Sequence, residues 1–196
     1  MRARPCACIR RGAGLGRFQS TRPWGRDPLG RGDKAAADAA TQEMRNASEK
    51  MGEQAADIAM KKIHPKEKPK KLVSKITENG KQGEFDRIYQ VGDDVYLIEA
   101  KGGGSTRGTR KAGDQIVEQG TPEYRDALIQ IMRDKIDHPS TSPKHRRDLK
   151  ETLNAIEKAQ KNKTLKYIQV SQRLTSDGSL RPRINVIEFG PSMLVN

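Results

Sequence analysis

Near the middle of the chain, Glu99-Ala100-Lys101 sets a carboxylate and an ammonium two residues apart at the end of the most apolar run, Val95 to Ala100. In a β-strand, residues i and i+2 share a face, so both groups project to the same side. A second carboxylate, Asp86, lies upstream in Glu84-Phe85-Asp86-Arg87-Ile88-Tyr89-Gln90, on what reads as the preceding strand of a hairpin. Two carboxylates beside a lysine suit hydrolysis of a phosphodiester bond. Carboxylate oxygens hold Mg²⁺ or Mn²⁺, the ion acidifies water and clamps the phosphate, and the lysine orients the water and offsets developing charge. On this reading Asp86 and Glu99 are metal ligands and Lys101 assists the water. The competing reading is an ordinary Glu–Lys pair on a solvated sheet face. It does not explain why a glutamate ends so apolar a strand, just ahead of Gly102-Gly103-Gly104-Ser105.

These residues need a sheet to hold them. Glu84 to Gln90 alternates, with Phe85, Arg87 and Tyr89 expected on one face and Asp86 and Ile88 on the other. Val91-Gly92-Asp93-Asp94 is the expected turn, and Val95 to Ala100 a central strand. Upstream, a helix is expected over 35–63, with Met44, Ala47, Met51, Ala55, Ile58 and Lys62 as its stripe and His64-Pro65 ending it. The following Lys66-Glu67-Lys68-Pro69-Lys70-Lys71 is read as an irregular exposed loop. Downstream, Thr121-Pro122-Glu123 has the chemistry of a helix start. Tyr124, Ala127, Leu128, Ile131, Met132 and Ile136 would form that helix's apolar face. A second helix is expected over 144–161 with Leu149, Leu153 and Ile156 inward, then closing strands over 165–172 and 184–189.

The chain has 196 residues, enough for one domain and a tail, with a formal charge of +13. Such an excess fits a polyanionic partner through phosphate contacts and counterion release, or else a solvated tail with none. Residues 1–33 are rich in Arg, Gly and Pro and show no periodicity, so a disordered basic tail or linker is expected there, with the folded domain over 34–196. The tail loosely resembles an organelle transit peptide, and it fits equally a remnant of a larger modular protein. Cys6 and Cys8, the only cysteines, are too few for a zinc site and badly spaced for a disulfide. No run is long and apolar enough to span a membrane, and the first stretch lacks the apolar core of a secretory signal.

Phe85-Asp86, a hairpin, then Ile98-Glu99-Ala100-Lys101-Gly102 resembles the core of the PD-(D/E)xK, or restriction-endonuclease-like, nuclease superfamily. With Gly103-Gly104-Ser105 and Gln119-Gly120-Thr121-Pro122-Glu123-Tyr124, the stretch resembles more narrowly the C-terminal nuclease domains of bacterial polymorphic toxins. The likeness spans roughly residues 44–189, and no proline precedes Asp86. It implies an α/β fold, a mixed central β-sheet flanked by α-helices, and a nuclease using Mg²⁺ or Mn²⁺ on nucleic acid, DNA ahead of RNA. It also implies a secreted effector acting in the cytoplasm of a target bacterium, and a cognate immunity protein as a partner. Family members often add a glutamate from the first helix and a glutamine after the lysine strand; Glu53 and Gln119 match by position, completing a catalytic set of Asp86, Glu99, Lys101, Gln119 and Glu53. Glu53 lies opposite the Met44–Ile58 stripe, so it either points to the site or is solvated. Gln119 is either a site residue or a turn residue ahead of a helix cap, and Ser105 either touches phosphate or ends the strand. Lysines and arginines over 66–75 and 107–111 are candidate backbone contacts.

Other chemistries fit poorly. Gly103 and Gly108 have the spacing of a phosphate-binding loop, but Thr109 and Arg110 replace its lysine and Ser/Thr. The three histidines sit beside prolines or at a basic helix start, which disfavours a histidine-dependent nuclease. The alternatives kept are an RNA- or tRNA-cleaving member of the same superfamily and a non-catalytic nucleic-acid-binding module.

Overall fold

The computed structural model describes residues 34–76 and 84–190; the expected tail over 1–33 lies outside them. The described residues from Ala39 onward form one unit, and Lys34–Asp38 ahead of it are exposed helical residues. The chain is mixed α/β, built around a five-stranded sheet with three helices.

The sheet grows from a tight hairpin. Gly92 adopts a left-handed φ of 58° at the first turn position, which lets β2 (Arg87–Val91) fold directly back onto β3 (Asp94–Gly102). A short strand β1 (Lys70–Leu72) adds antiparallel to β2, so the run read as a loop over 66–71 ends in sheet. β6 (Leu165–Gln172) then lies parallel to β3, and β7 (Asn185–Glu188) closes antiparallel to β6. The order β1-β2-β3-β6-β7 leaves β3 central, as its apolar sequence requires.

The two faces of β3 serve different layers. Tyr96, Ile98 and Ala100 pack with Ile168 and Val170 against helix α1 (Lys34–Ile63). Val95 and Leu97 join Ile88, Tyr167 and the inner sides of helices α2 (Pro122–Asp137) and α3 (Pro143–Asn162). Thr121 caps α2 as expected, its side chain accepting the Tyr124 N–H at 3.2 Å.

Of the stripe expected on helix α1 only Ala55 is buried, with Met51 half-buried and the rest exposed. Met44 is 72% exposed and Ile58 46%, while Gly52, Ala55, Ala56, Ala59 and Met60 are buried. The reason is steric. A Cβ on Gly102 would lie 2.0 Å from the Ser48 carbonyl oxygen, and one on Gly52 would lie 3.0 Å from the Ala100–Lys101 peptide. So close an approach admits only the Gly/Ala face of the helix. A second correction concerns Phe85, which packs with Ile88 beneath α2 rather than sharing the α1 face with Arg87 and Tyr89. The chain bends at Asp86 before the strand begins, so the alternation breaks there.

A hairpin not among the elements expected from the sequence joins β3 to α2. Its strands are β4 (Thr109–Ala112) and β5 (Gln115–Glu118), paired Ala112 to Gln115 around Gly113 at φ 61°. The Gly113-Asp114 pair between two short runs was the available signal.

Candidate active site

The β2–β3 register ends with Arg87 paired to Ile98, and Asp86 lies in the bend just before β2, close enough to Glu99 for its charge to act on that carboxyl. Asp86 Oδ2 accepts the Ala100 N–H at 2.6 Å, which pins the carboxylate against β3. Lys101 follows two residues after Glu99, with its ammonium in no hydrogen bond or ion pair among the described residues.

Glu99 is fully buried. Tyr167 donates its hydroxyl to Oε1 at 3.0 Å, and the Gln119 side-chain amide donates to Oε2 at 2.8 Å. Burial first, then the charge of Asp86, raises the Glu99 carboxyl from 4.5 to about 8; Lys101 and the Tyr167 hydroxyl pull the other way. Burial also lifts Asp86 from 3.8 to about 6, against the Ala100 hydrogen bond and Lys101, with smaller upward pushes from Glu49 and Glu53. Two adjacent carboxylates are thus held where ionisation is costly, beside one ammonium.

Gln119 reaches Glu99 because the base of the β4–β5 hairpin holds it. Its N–H donates to the Gly108 carbonyl at 2.9 Å, and its Oε1 accepts the Gly108 N–H at 2.8 Å. It both precedes the α2 cap and touches the acid, so the two readings of this residue merge. Next to it, Gly120 takes φ 98°, donates its N–H to the Tyr167 hydroxyl at 3.2 Å, and leaves room for the Phe189 ring.

Glu53 faces the site with its carboxylate already engaged. Its carboxylate pairs with Arg87 at 2.5 Å, and Arg87 also reaches Asp57 at 3.3 Å and the Asp86 carbonyl at 2.9 Å. The residue therefore ties α1 to β2 beside Asp86, and the solvated reading is set aside. Ser105 donates to the Gly102 carbonyl at 2.7 Å, which makes it a strand-ending turn residue. Among the basic residues expected to meet phosphate, Lys70 pairs with Glu151 at 2.5 Å and Lys71 lies 3.9 Å from Asp57. Arg107 donates to Gln169 at 3.1 Å and stacks on Phe189, and Arg110 lies over the Tyr124 ring.

A cavity of about 910 Å³ lies over Asp86, bordered by α1, the β1 exit and the β4 start. Gln119, Glu53 and Lys75 reach it, as does Glu49, one turn before Glu53, which the sequence reading passed over. Also unread were Tyr167, Gln169 and Ser171, which alternate along β6 on the face of Glu99 and Lys101. Glu99 pairs with Gln169 and Lys101 with Ser171, so the acid's neighbours on both sides are polar. Polar residues at alternate positions of an otherwise apolar closing strand were the signal.

Among the described residues, no three or more His, Cys, Asp or Glu side chains gather as a metal cage. Two carboxylates do, and Mg²⁺ is commonly bound by one or two, with water and substrate phosphate completing its octahedron. Their hard oxygens fit such an ion, and a dication would offset the unfavourable charging of the buried Glu99 and of Asp86 beside it. None of the described helices is long and apolar enough to cross a membrane. Comparison with known proteins adds no relative: no protein-family model, curated protein or solved structure matches the chain.

Proposed function

We propose that this chain is a metal-dependent nuclease of the PD-(D/E)xK type, with a restriction-endonuclease-like fold, that hydrolyses phosphodiester bonds in DNA as a bacterial toxin domain. The observation that carries the reading is the fully buried Glu99 beside the half-buried Asp86, which is held to β3 by the Ala100 N–H, with Lys101 two residues after Glu99 on the same strand. A mixed sheet with helices on both faces agrees with the expected fold at its coarser level.

In this proposal Asp86 and Glu99 hold Mg²⁺ or Mn²⁺, which supplies a more acidic water and positive charge at the phosphate. Gln119 and Tyr167 fix the Glu99 carboxylate in one orientation, each through a hydrogen bond to a different oxygen. Ala100 does the same for Asp86 through its backbone N–H. Lys101 sits where it can orient an attacking water and offset the negative charge building on phosphate. Glu53 serves as a positioning residue through Arg87, whose guanidinium holds the Asp86 backbone. The function as a toxin, and an immunity protein that covers the site, rest on the resemblance alone.

The test is cleavage of plasmid DNA and of total tRNA by wild type, Lys101→Ala and Glu99→Ala, each with Mg²⁺ and with EDTA. DNA cutting that needs the ion and disappears in both variants is the expected result. Cutting of tRNA alone would move the substrate to RNA. Binding of either nucleic acid without cutting would replace the nuclease by a binding module.

A further inference from the structure

A second cavity, of about 740 Å³, lies between the β1 exit and the start of α3. It shares Glu53, Ser74, Lys75 and Arg87 with the cavity over Asp86, so the two adjoin as parts of one trough. Lys71, Lys75, Arg87 and Lys144 face it, against Glu53 and Asp148. Arg87 and Lys71 are already engaged with carboxylates of α1. Lys75 and Lys144 are exposed and in no ion pair among the described residues. They stand on separate elements whose spacing is fixed, because the His145 ring bonds the Ile76 carbonyl at 3.0 Å.

Lys144 is also misplaced for stability. It lies in the first turn of α3, which carries no acidic residue and continues into His145, Arg146 and Arg147. A helix start has the positive end of the dipole, where cations are unfavourable and anions are welcome. An anionic ligand at this position would meet both the Lys144 ammonium and the positive end of α3. No Phe, Tyr or Trp lines the cavity, and its one ring, that of His145, is tied to the Ile76 carbonyl, so unstacked bases find little platform there.

From these observations we infer that the second cavity is a backbone subsite: it takes phosphates of a nucleic-acid duplex flanking the reacting phosphate, through Lys75 and Lys144. The inference rests on the nuclease reading, and it adds where the substrate runs: from Asp86 past the β1 exit to the head of α3. Contacts of this kind carry affinity and register without sequence choice.

The experiment is fluorescence anisotropy with the full chain in EDTA, so that nothing is cut, using labelled duplexes of stepped length over a range of NaCl. Wild-type affinity should rise with duplex length. Lys75→Ala and Lys144→Ala should each blunt that rise and flatten the salt dependence of log K by about 0.9, the value of one lost phosphate contact. Lys62→Ala, at the far end of α1, removes the same charge and should leave the slope as it is. Wild-type slopes in both groove variants would overturn the subsite, and so would an equal loss in Lys62→Ala. The cleavage assay decides separately. A protein that cuts DNA with binding indifferent to Lys144 keeps the nuclease and loses the subsite; one that binds through Lys144 and cuts nothing does the reverse.

Discussion

Without a divalent cation, Glu99 is a carboxyl group kept dry beside another carboxylate, and that arrangement should be measurable as a stability that falls with pH. An unfolded Glu99 ionises near 4.5, the folded one near 8. Between those values the native state holds a proton that the unfolded state has released. The group's contribution is therefore fully present below about pH 4.5 and is lost as pH rises through 8. With 1.36 kcal/mol per unit, the loss from pH 5 to 8.5 is about 4 kcal/mol. Glu99→Gln removes this titration and introduces one pH-independent fault. The amide NH2 cannot accept, as the acid's hydroxyl oxygen can, so one of Tyr167 and Gln119 loses its acceptor, which costs roughly 1–2 kcal/mol. The variant should then melt slightly below wild type at pH 5 and clearly above it at pH 8.5. At 2–4 °C for each kcal/mol in a domain of this size, the difference between the two melting temperatures should swing by roughly 8–16 °C. Asp86 titrates in both proteins and largely drops out of that comparison. Denaturant or thermal melts in EDTA at the two pH values provide the assay. Parallel pH profiles for the two proteins would refute the reasoning, because they would mean that Glu99 is not charged in a dry place.

Mg²⁺ binding near pH 7 should release about one proton per ion, chiefly from Glu99, and almost none at pH 9; calorimetry in buffers of different ionisation enthalpy reads this directly. Gly102→Ala should cost about 2–3 kcal/mol in urea unfolding, since its Cβ would meet the Ser48 carbonyl at 2.0 Å and α1 cannot back away without exposing Ala56 and Met60. Gly120→Ala combines a left-handed φ of 98° with a Cβ 2.6 Å from the Phe189 ring; a loss of about 2 kcal/mol and a fall in cleavage are expected, as Gln119 moves with it. Glu53→Ala should unfold about 1–3 kcal/mol more easily by leaving Arg87 with Asp57 alone, while retaining more cleavage than Asp86→Ala; equal loss of cleavage would give Glu53 a direct role.

Much of this arrangement was readable because it is local. The β2–β3 hairpin that brings Asp86 near Glu99, the two-residue spacing to Lys101, the Thr121 cap and the β6 limits all follow from short patterns of residue type. What escaped was set by contacts between distant segments. Periodicity marked the Met44–Ile58 stripe of α1, yet the close approach at Gly102 decided the docking face. Alternation around Phe85 is sound for an isolated strand, but the bend at Asp86 reverses it. Basic runs do not disclose which lysines are occupied; Lys70 and Lys71 look no different from Lys75 until Glu151 and Asp57 come alongside. Tyr167 was unread for the same reason, since only the parallel pairing of β3 with β6 brings it to Glu99.

That parallel pairing has a consequence for the order of assembly. Asp86 meets the Ala100 amide across only 14 residues of chain, by closing one small turn, whereas the Tyr167 hydroxyl comes to Glu99 from 68 residues away. Short loops close early and long-range pairings late. The acids are therefore neighbours while still wet, and the step that dries Glu99 is the docking of β6 with its helices. A chain refolding at alkaline pH in EDTA carries an ionised Glu99 into that step and has to strip water from it there. Its refolding should slow as pH rises through the Glu99 titration, and Mg²⁺ or Glu99→Gln should remove the slowing.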